Sequence, residues 1–90
     1  MYRLSEKVSI RHIEADDSYW AFDVQDGSQY ELNETAFLIL AGLAKGAGLD
    51  ALGARIAEEY GIGLDIATRD VDAVLTNLQE LGLLDTEGES

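Results

Sequence analysis

The stretch SQYELNETAFLIL, residues 28–40, changes its period partway through. Up to Leu32 polar and apolar residues alternate, as on a half-buried strand. From Asn33 onward the apolar residues recur at helical spacing. No turn dipeptide separates the two halves. Asn33 suits an N-cap, and Glu34 sits where the positive end of a helix dipole favours an acid. The spacing predicts a helix with Ala36, Phe37, Leu40, Leu43 and Ala44 on its buried face, closed by Lys45-Gly46.

Working back from residue 28, two more alternating segments appear. Residues 7–14 place Val8, Ile10 and His12 on one face, and residues 18–24 place Trp20, Phe22 and Val24 together. The turns Ala15-Asp16-Asp17 and Gln25-Asp26-Gly27 join the three strands. With Gly27 in a left-handed bulge position, a three-residue loop pairs Val24 with Ser28, Phe22 with Tyr30 and Trp20 with Leu32. The same logic pairs His12 with Trp20 and Ile10 with Phe22. This register brings the apolar sets onto one face of an antiparallel meander, whereas a two-residue turn would mix them. The third strand is an edge.

Downstream, Leu52, Ile56 and Tyr60 mark a second helix from about residue 49, ended by Gly61. A longer helix after Gly63 runs to about residue 81, with Leu64, Ala67, Val71, Val74, Leu75, Leu78 and Leu81 as its apolar stripe. Gly82 caps it, and Leu83-Leu84-Asp85 suggests a short extended piece. Three strands followed by three helices read as a winged-helix-like α+β domain. Its expected core covers residues 7–85 of a single domain, 1–90, with an acidic tail at 86–90.

The winged-helix shape suggests DNA binding, but the charge opposes it. Eighteen acids against six bases give a net charge of −12, and the bases are scattered. Nucleic-acid binding relies on clustered Lys and Arg to neutralise phosphates. Between Asp65 and Leu81 the third helix offers only Arg69 against four acids. The same charge disfavours anionic membranes. No apolar run approaches the ~20 residues of a membrane span. The first residues lack the apolar core of a signal peptide, so the expected compartment is the cytoplasm. The chain has no cysteine, hence no disulfide framework or thiolate chemistry.

The inventory for catalysis is thin. His12 is the only histidine and reads as a structural residue near Trp20. No His, Cys and Asp spacing suits zinc. Asp16-Asp17 and Glu58-Glu59 read as solvated acids. Gly46-Ala47-Gly48 lacks the Lys-Ser/Thr of a phosphate loop and reads as a connector. No enzyme and no cofactor are expected.

The edge strand carries more information. Ser28-Gln29-Tyr30-Glu31 has neither Lys nor Pro to blunt it. With the third helix phased so that Val71, Leu75 and Leu78 face the core, Ile66, Asp70, Ala73, Val74, Asn77 and Leu81 share one flank. Asp65, Thr68, Asp72 and Gln79 share the other. An edge strand beside the half-apolar flank can accept an extended peptide as an added strand.

Four short motifs recur in a recognisable order: Leu32-Asn33-Glu34-Thr35, Glu58-Glu59-Tyr60, Asp70-Val71 and Gly82-Leu83-Leu84. In this order and spacing, over residues 8–84, the chain resembles the PqqD-like family. These are the recognition elements of ribosomally made, post-translationally modified peptide (RiPP) pathways. The resemblance implies a non-catalytic, winged-helix-like domain. Such a domain binds the leader segment of a precursor peptide between the third strand and third helix. It presents that leader to a modifying enzyme of the radical S-adenosylmethionine type or to a leader peptidase. Carried over, the peptide-binding residues are Ser28, Gln29, Tyr30, Glu31, Ile66, Asp70, Ala73, Val74 and Asn77. Gly48 and Gly63 stand where many relatives place a capping Thr, Ser or Asp. The alternative from another class is a winged-helix-derived interaction scaffold, a homodimer without DNA binding.

Overall fold

In the computed structural model, which describes residues 2–86, eight elements follow one another. They are β1 (Tyr2–Leu4), β2 (Val8–Ile13), β3 (Ser18–Asp23), β4 (Gln29–Leu32), α1 (Glu34–Ala44), α2 (Leu49–Tyr60), α3 (Leu64–Glu80) and β5 (Leu84–Thr86). The expected α+β order of three antiparallel strands and then three helices is present, with β2-β3-β4 as the meander. Of the tail expected at residues 86–90, Thr86 belongs to β5 and the rest lies outside the described residues. A second sheet pairs β1 with β5, Arg3 opposite Asp85. A three-residue strand at residues 2–4 is too short to show a period, so no alternation announces it.

The register of the meander differs by one residue from the sequence-based expectation. Ala21 lies opposite Tyr30 and Tyr19 opposite Leu32, while Ile10 faces Ala21 and His12 faces Tyr19. The cause is in the loops, each of which holds four residues instead of three. In the first, residues 14–17, Asp17 takes a left-handed conformation at φ 55°. In the second, residues 24–27, the Asp23 carboxylate accepts the backbone N–H of Gln25 at 2.9 Å and of Asp26 at 3.2 Å. Gly27, at φ 81° as the turn requires, donates its N–H to the Asp23 carbonyl at 2.9 Å. Val24 is thereby drawn out of the strand and left 69% exposed. These N–H bonds, Gln25 first, and nearby Lys7 hold the Asp23 carboxyl below its ordinary range.

With one residue added on each side, only the middle strand exchanges faces. Val8, Ile10, Tyr30 and Leu32 still point toward the core, but Tyr19, Ala21 and Asp23 replace Trp20, Phe22 and Val24 beside them. The packing explains why this register wins. Helix α1 lies across all three strands, and Ala21 beneath it is fully buried. An indole would not fit at that position. Trp20 and Phe22 instead stack on the outer face with ring centroids 6.4 Å apart, and the Trp20 indole N–H donates to Ser18 Oγ at 2.9 Å. Ala21→Leu is therefore expected to cost about 1–3 kcal/mol by overpacking. In the register with Trp20 inside, the same change would fall on the solvent face and be nearly neutral. Urea denaturation decides between them.

The helices follow their patterns with local corrections. Asn33 caps α1, its Oδ1 accepting the Ala36 N–H at 2.8 Å. The buried face of α1 is Ala36, Ile39, Leu40 and Leu43, so Ile39 takes the place expected for Ala44, which is exposed. Helices α2 and α3 start at Gly48 and Gly63 with no side-chain cap. They meet closely at Gly53, where an added Cβ would lie 2.9 Å from Thr68 Oγ1. Ala67, Val71, Leu75 and Leu78 of α3 are buried, whereas Leu64 and Leu81, at the ends of the expected stripe, are 58% and 41% exposed. Gly82, at φ 80°, turns the chain so that Leu83 N–H reaches the Leu78 carbonyl at 3.1 Å. Leu83 and Leu84 then close the core. Among the described residues, no helix is long and apolar enough to cross a membrane.

Candidate functional site

The edge begins with the backbone ladder. Asp23 N–H donates to the Ser28 carbonyl at 2.9 Å. Antiparallel ladders alternate bonded and non-bonded pairs, so Ala21–Tyr30 and Tyr19–Leu32 are the next bonded pairs. The Ser28 carbonyl and the backbone groups of Tyr30 and Leu32 therefore turn inward to β3. Those of Gln29 and Glu31 turn outward, where the sheet order among the described residues gives β4 no second neighbour. The shifted register changes the partners of β4 but not this parity. Gln29 and Glu31 are exposed, Tyr30 is half-buried against the core, and Ser28 donates its N–H to Asp26 Oδ1 at 2.8 Å.

The strand passes into α1 through Asn33 alone, and a hydrogen-bonded cluster holds the junction. Tyr60 at the end of α2 donates its hydroxyl to Glu34 Oε1 at 2.8 Å. Tyr19 of β3 donates to Glu34 Oε2 at 3.2 Å, and the Thr35 hydroxyl donates to Tyr60 Oη at 3.2 Å. Partial desolvation, with the Glu34 charge adding to it, raises the pKa of both tyrosines. Both stay protonated donors at neutral pH. Two motifs distant in sequence, Leu32–Thr35 and Glu58–Tyr60, are thus one structural joint. Hydrogen bonding between side chains 25 and 26 residues apart leaves no local periodic signal.

His12 belongs to this side of the molecule, but not beside Trp20. It stacks on Tyr19 with centroids 4.4 Å apart, and its Nε2 lies 2.9 Å from Asp17 Oδ1. The strand flip moved it: the residue opposite His12 is Tyr19. Among the described residues, no three His, Cys, Asp or Glu side chains are grouped to hold a metal ion.

On α3, Ile66 is 51% exposed, and Asp70, Ala73 and Asn77 are exposed as well. Val74 is half-buried and packs on the same core cluster as Tyr30. β4 packs mainly on β3 and α1, and α3 on α2 and β5. The strand and helix residues singled out in the sequence thus sit on separate elements that share a core without forming a principal packing interface. Two depressions lie elsewhere, one lined by Leu49, Asp65, Thr68, Arg69, Val71 and Asp72, the other around Tyr2, Leu43 and Leu49. An edge that accepts a strand is an open feature, so depth is no guide to it.

A three-stranded meander with a free edge, running through a capped junction into three helices, defines a small α+β domain. Residues 19–84 match the family model of the coenzyme PQQ synthesis protein D, PqqD. The chain belongs to the PqqD family. Solved structures agree along nearly the full length. TbiB1 in complex with the TbiA(β) leader peptide is 26% identical, with 98% of each chain covered and a TM-score of 0.79. The lasso peptide synthetase B1 complexed with the leader peptide is 28% identical, covers 94% of this chain and 98% of its own, and has a TM-score of 0.80. The PqqD truncation of Methylobacterium extorquens PqqCD, solved by NMR as a RiPP recognition element, shares the fold at 19% identity. Its coverage is 94% of this chain and 88% of its own, with a TM-score of 0.76. No curated protein sequence matches the chain.

Proposed function

We propose that this chain is a single recognition domain, without catalysis or cofactor, that binds the leader segment of a ribosomally made precursor peptide. The leader adds as a strand to the free edge of β4 and is presented to the enzyme that modifies or cleaves the precursor. One observation carries the reading most directly: the outward backbone groups of Gln29 and Glu31 lie on an unpaired edge. Two domains of the same fold that are in complex with leader peptides support it. Main-chain pairing supplies affinity in strand addition, and pockets for alternate side chains supply specificity.

The flank of α3 supplies those pockets in this reading. Ile66, Ala73 and Val74 offer apolar contact, and Asp70 and Asn77 offer polar contact. Asp70→Ala and Asn77→Ala are expected to weaken binding of a labelled leader peptide of the cognate precursor about three- to tenfold, the worth of one hydrogen bond. Asp72→Ala and Gln79→Ala, on the opposite flank, should stay within about twofold. Fluorescence anisotropy measures all four. Equal losses at the four positions would remove α3 from the site.

A further inference from the structure

The two depressions away from the edge share Leu49 as a lining residue and are together called the trough. The cavity between α2 and α3 is about 280 Å³, and its neighbour against β1 and the end of α1 is about 310 Å³. The floor is apolar: Val71 and Leu43 are buried, and Leu49 stands at the junction 42% exposed. Asp50, Asp65 and Asp72 rim it, with Arg69 as the only base among its lining residues. An apolar side chain left in water at a helix start gains by being covered. Three carboxylates around it favour cations beside whatever does so.

Its position relative to the edge matters. At about 100° per residue, with Val71 toward the core, Asp65, Thr68 and Asp72 lie on the flank of α3 opposite Asp70, Ala73 and Asn77. A ligand in the trough would not compete with a strand added at β4. A presenting domain requires a second face of this kind.

We infer that the trough around Leu49 is a docking site for a segment of the enzyme that acts on the bound precursor. That segment places an apolar side chain against Leu49 and Val71 and flanks it with Lys or Arg facing Asp50, Asp65 and Asp72. The inference rests on the presenting role proposed above. Its occupant is distinct from the leader in both place and charge.

Panning a random 12-residue peptide display library on the full chain tests it. Enriched peptides should carry Leu, Ile, Met or Phe next to Lys or Arg. Synthetic copies should lose at least tenfold in affinity on Asp65→Lys/Asp72→Lys and on Leu49→Asp, yet change less than twofold on Gln29→Pro. Circular dichroism confirms that each variant is folded. Peptides without basic residues, or peptides lost on Gln29→Pro and kept by the charge reversals, overturn the proposal, as does the absence of any enrichment. A wild-type dimer in gel filtration that Leu49→Asp makes monomeric also overturns it, because a second copy then fills the trough. If the peptides bind as expected while a cognate leader does not bind at β4, the trough stands and the leader reading fails.

Discussion

Gln29→Pro is expected to lower leader affinity about ten- to a hundredfold while leaving the domain folded. Gln29 lies opposite Phe22 in a non-bonded pair, so its N–H points away from β3 and serves no bond inside the sheet. Proline removes that outward donor and spares every inward one; an edge strand is where a sheet tolerates it. The stranded carbonyl of the peptide then costs roughly 1–3 kcal/mol, which sets the expected range. Gln29→Ala keeps the N–H and is the control. Tyr30→Pro is the opposite case: Tyr30 pairs with Ala21 through inward bonds, so proline there should unmake the hairpin and damage the fold. The titration has an internal probe. Trp20 is the only tryptophan and lies opposite Glu31, one strand in from the edge. A folded Gln29→Pro that binds like Gln29→Ala excludes strand addition.

Leu75→Ala should destabilise the domain by about 2–5 kcal/mol, the range for emptying a buried leucine site. Leu75 is fully buried in the core cluster where α3 meets the rest of the fold. A domain of this size has about 5–15 kcal/mol in total, so the variant is expected to lose a large share of its stability. Leu64→Ala and Leu81→Ala belong to the same periodic stripe but sit 58% and 41% exposed, and each should change stability by under about 1 kcal/mol. Urea unfolding followed by circular dichroism would show a shifted midpoint with an unchanged slope for Leu75→Ala. Similar losses at all three leucines would mean that α3 is buried along its whole stripe.

How much of this was legible without a structure depends on the range of the interaction concerned. The switch from strand to helix at Asn33 is local chemistry, a change of period and a capping side chain, and residues 28–40 determine it by themselves. The order of the three meander strands and three helices, the free edge at β4 and the outward turn of Gln29 and Glu31 follow from the same local rules, and the charge of −12 sets the electrostatics. The family resemblance, carried by four motifs spread along the chain, was equally present in the residues.

Tertiary structure decided the rest. The faces of β3 depend on one residue in each of two loops, and alternation of apolar residues cannot count loop residues. In SYWAFD, residues 18–23, both phases present aromatic side chains, so pattern alone favoured the larger pair. Closeness of α1 to the sheet chose Ala21, because only a small side chain fits beneath the helix. The joint of Tyr19, Glu34, Thr35 and Tyr60 and the pairing of β1 with β5 bring together residues far apart in the chain, which no local period records. The trough at Leu49 arises in the same way: its carboxylates come from two helices, and only their packing brings them around the same leucine.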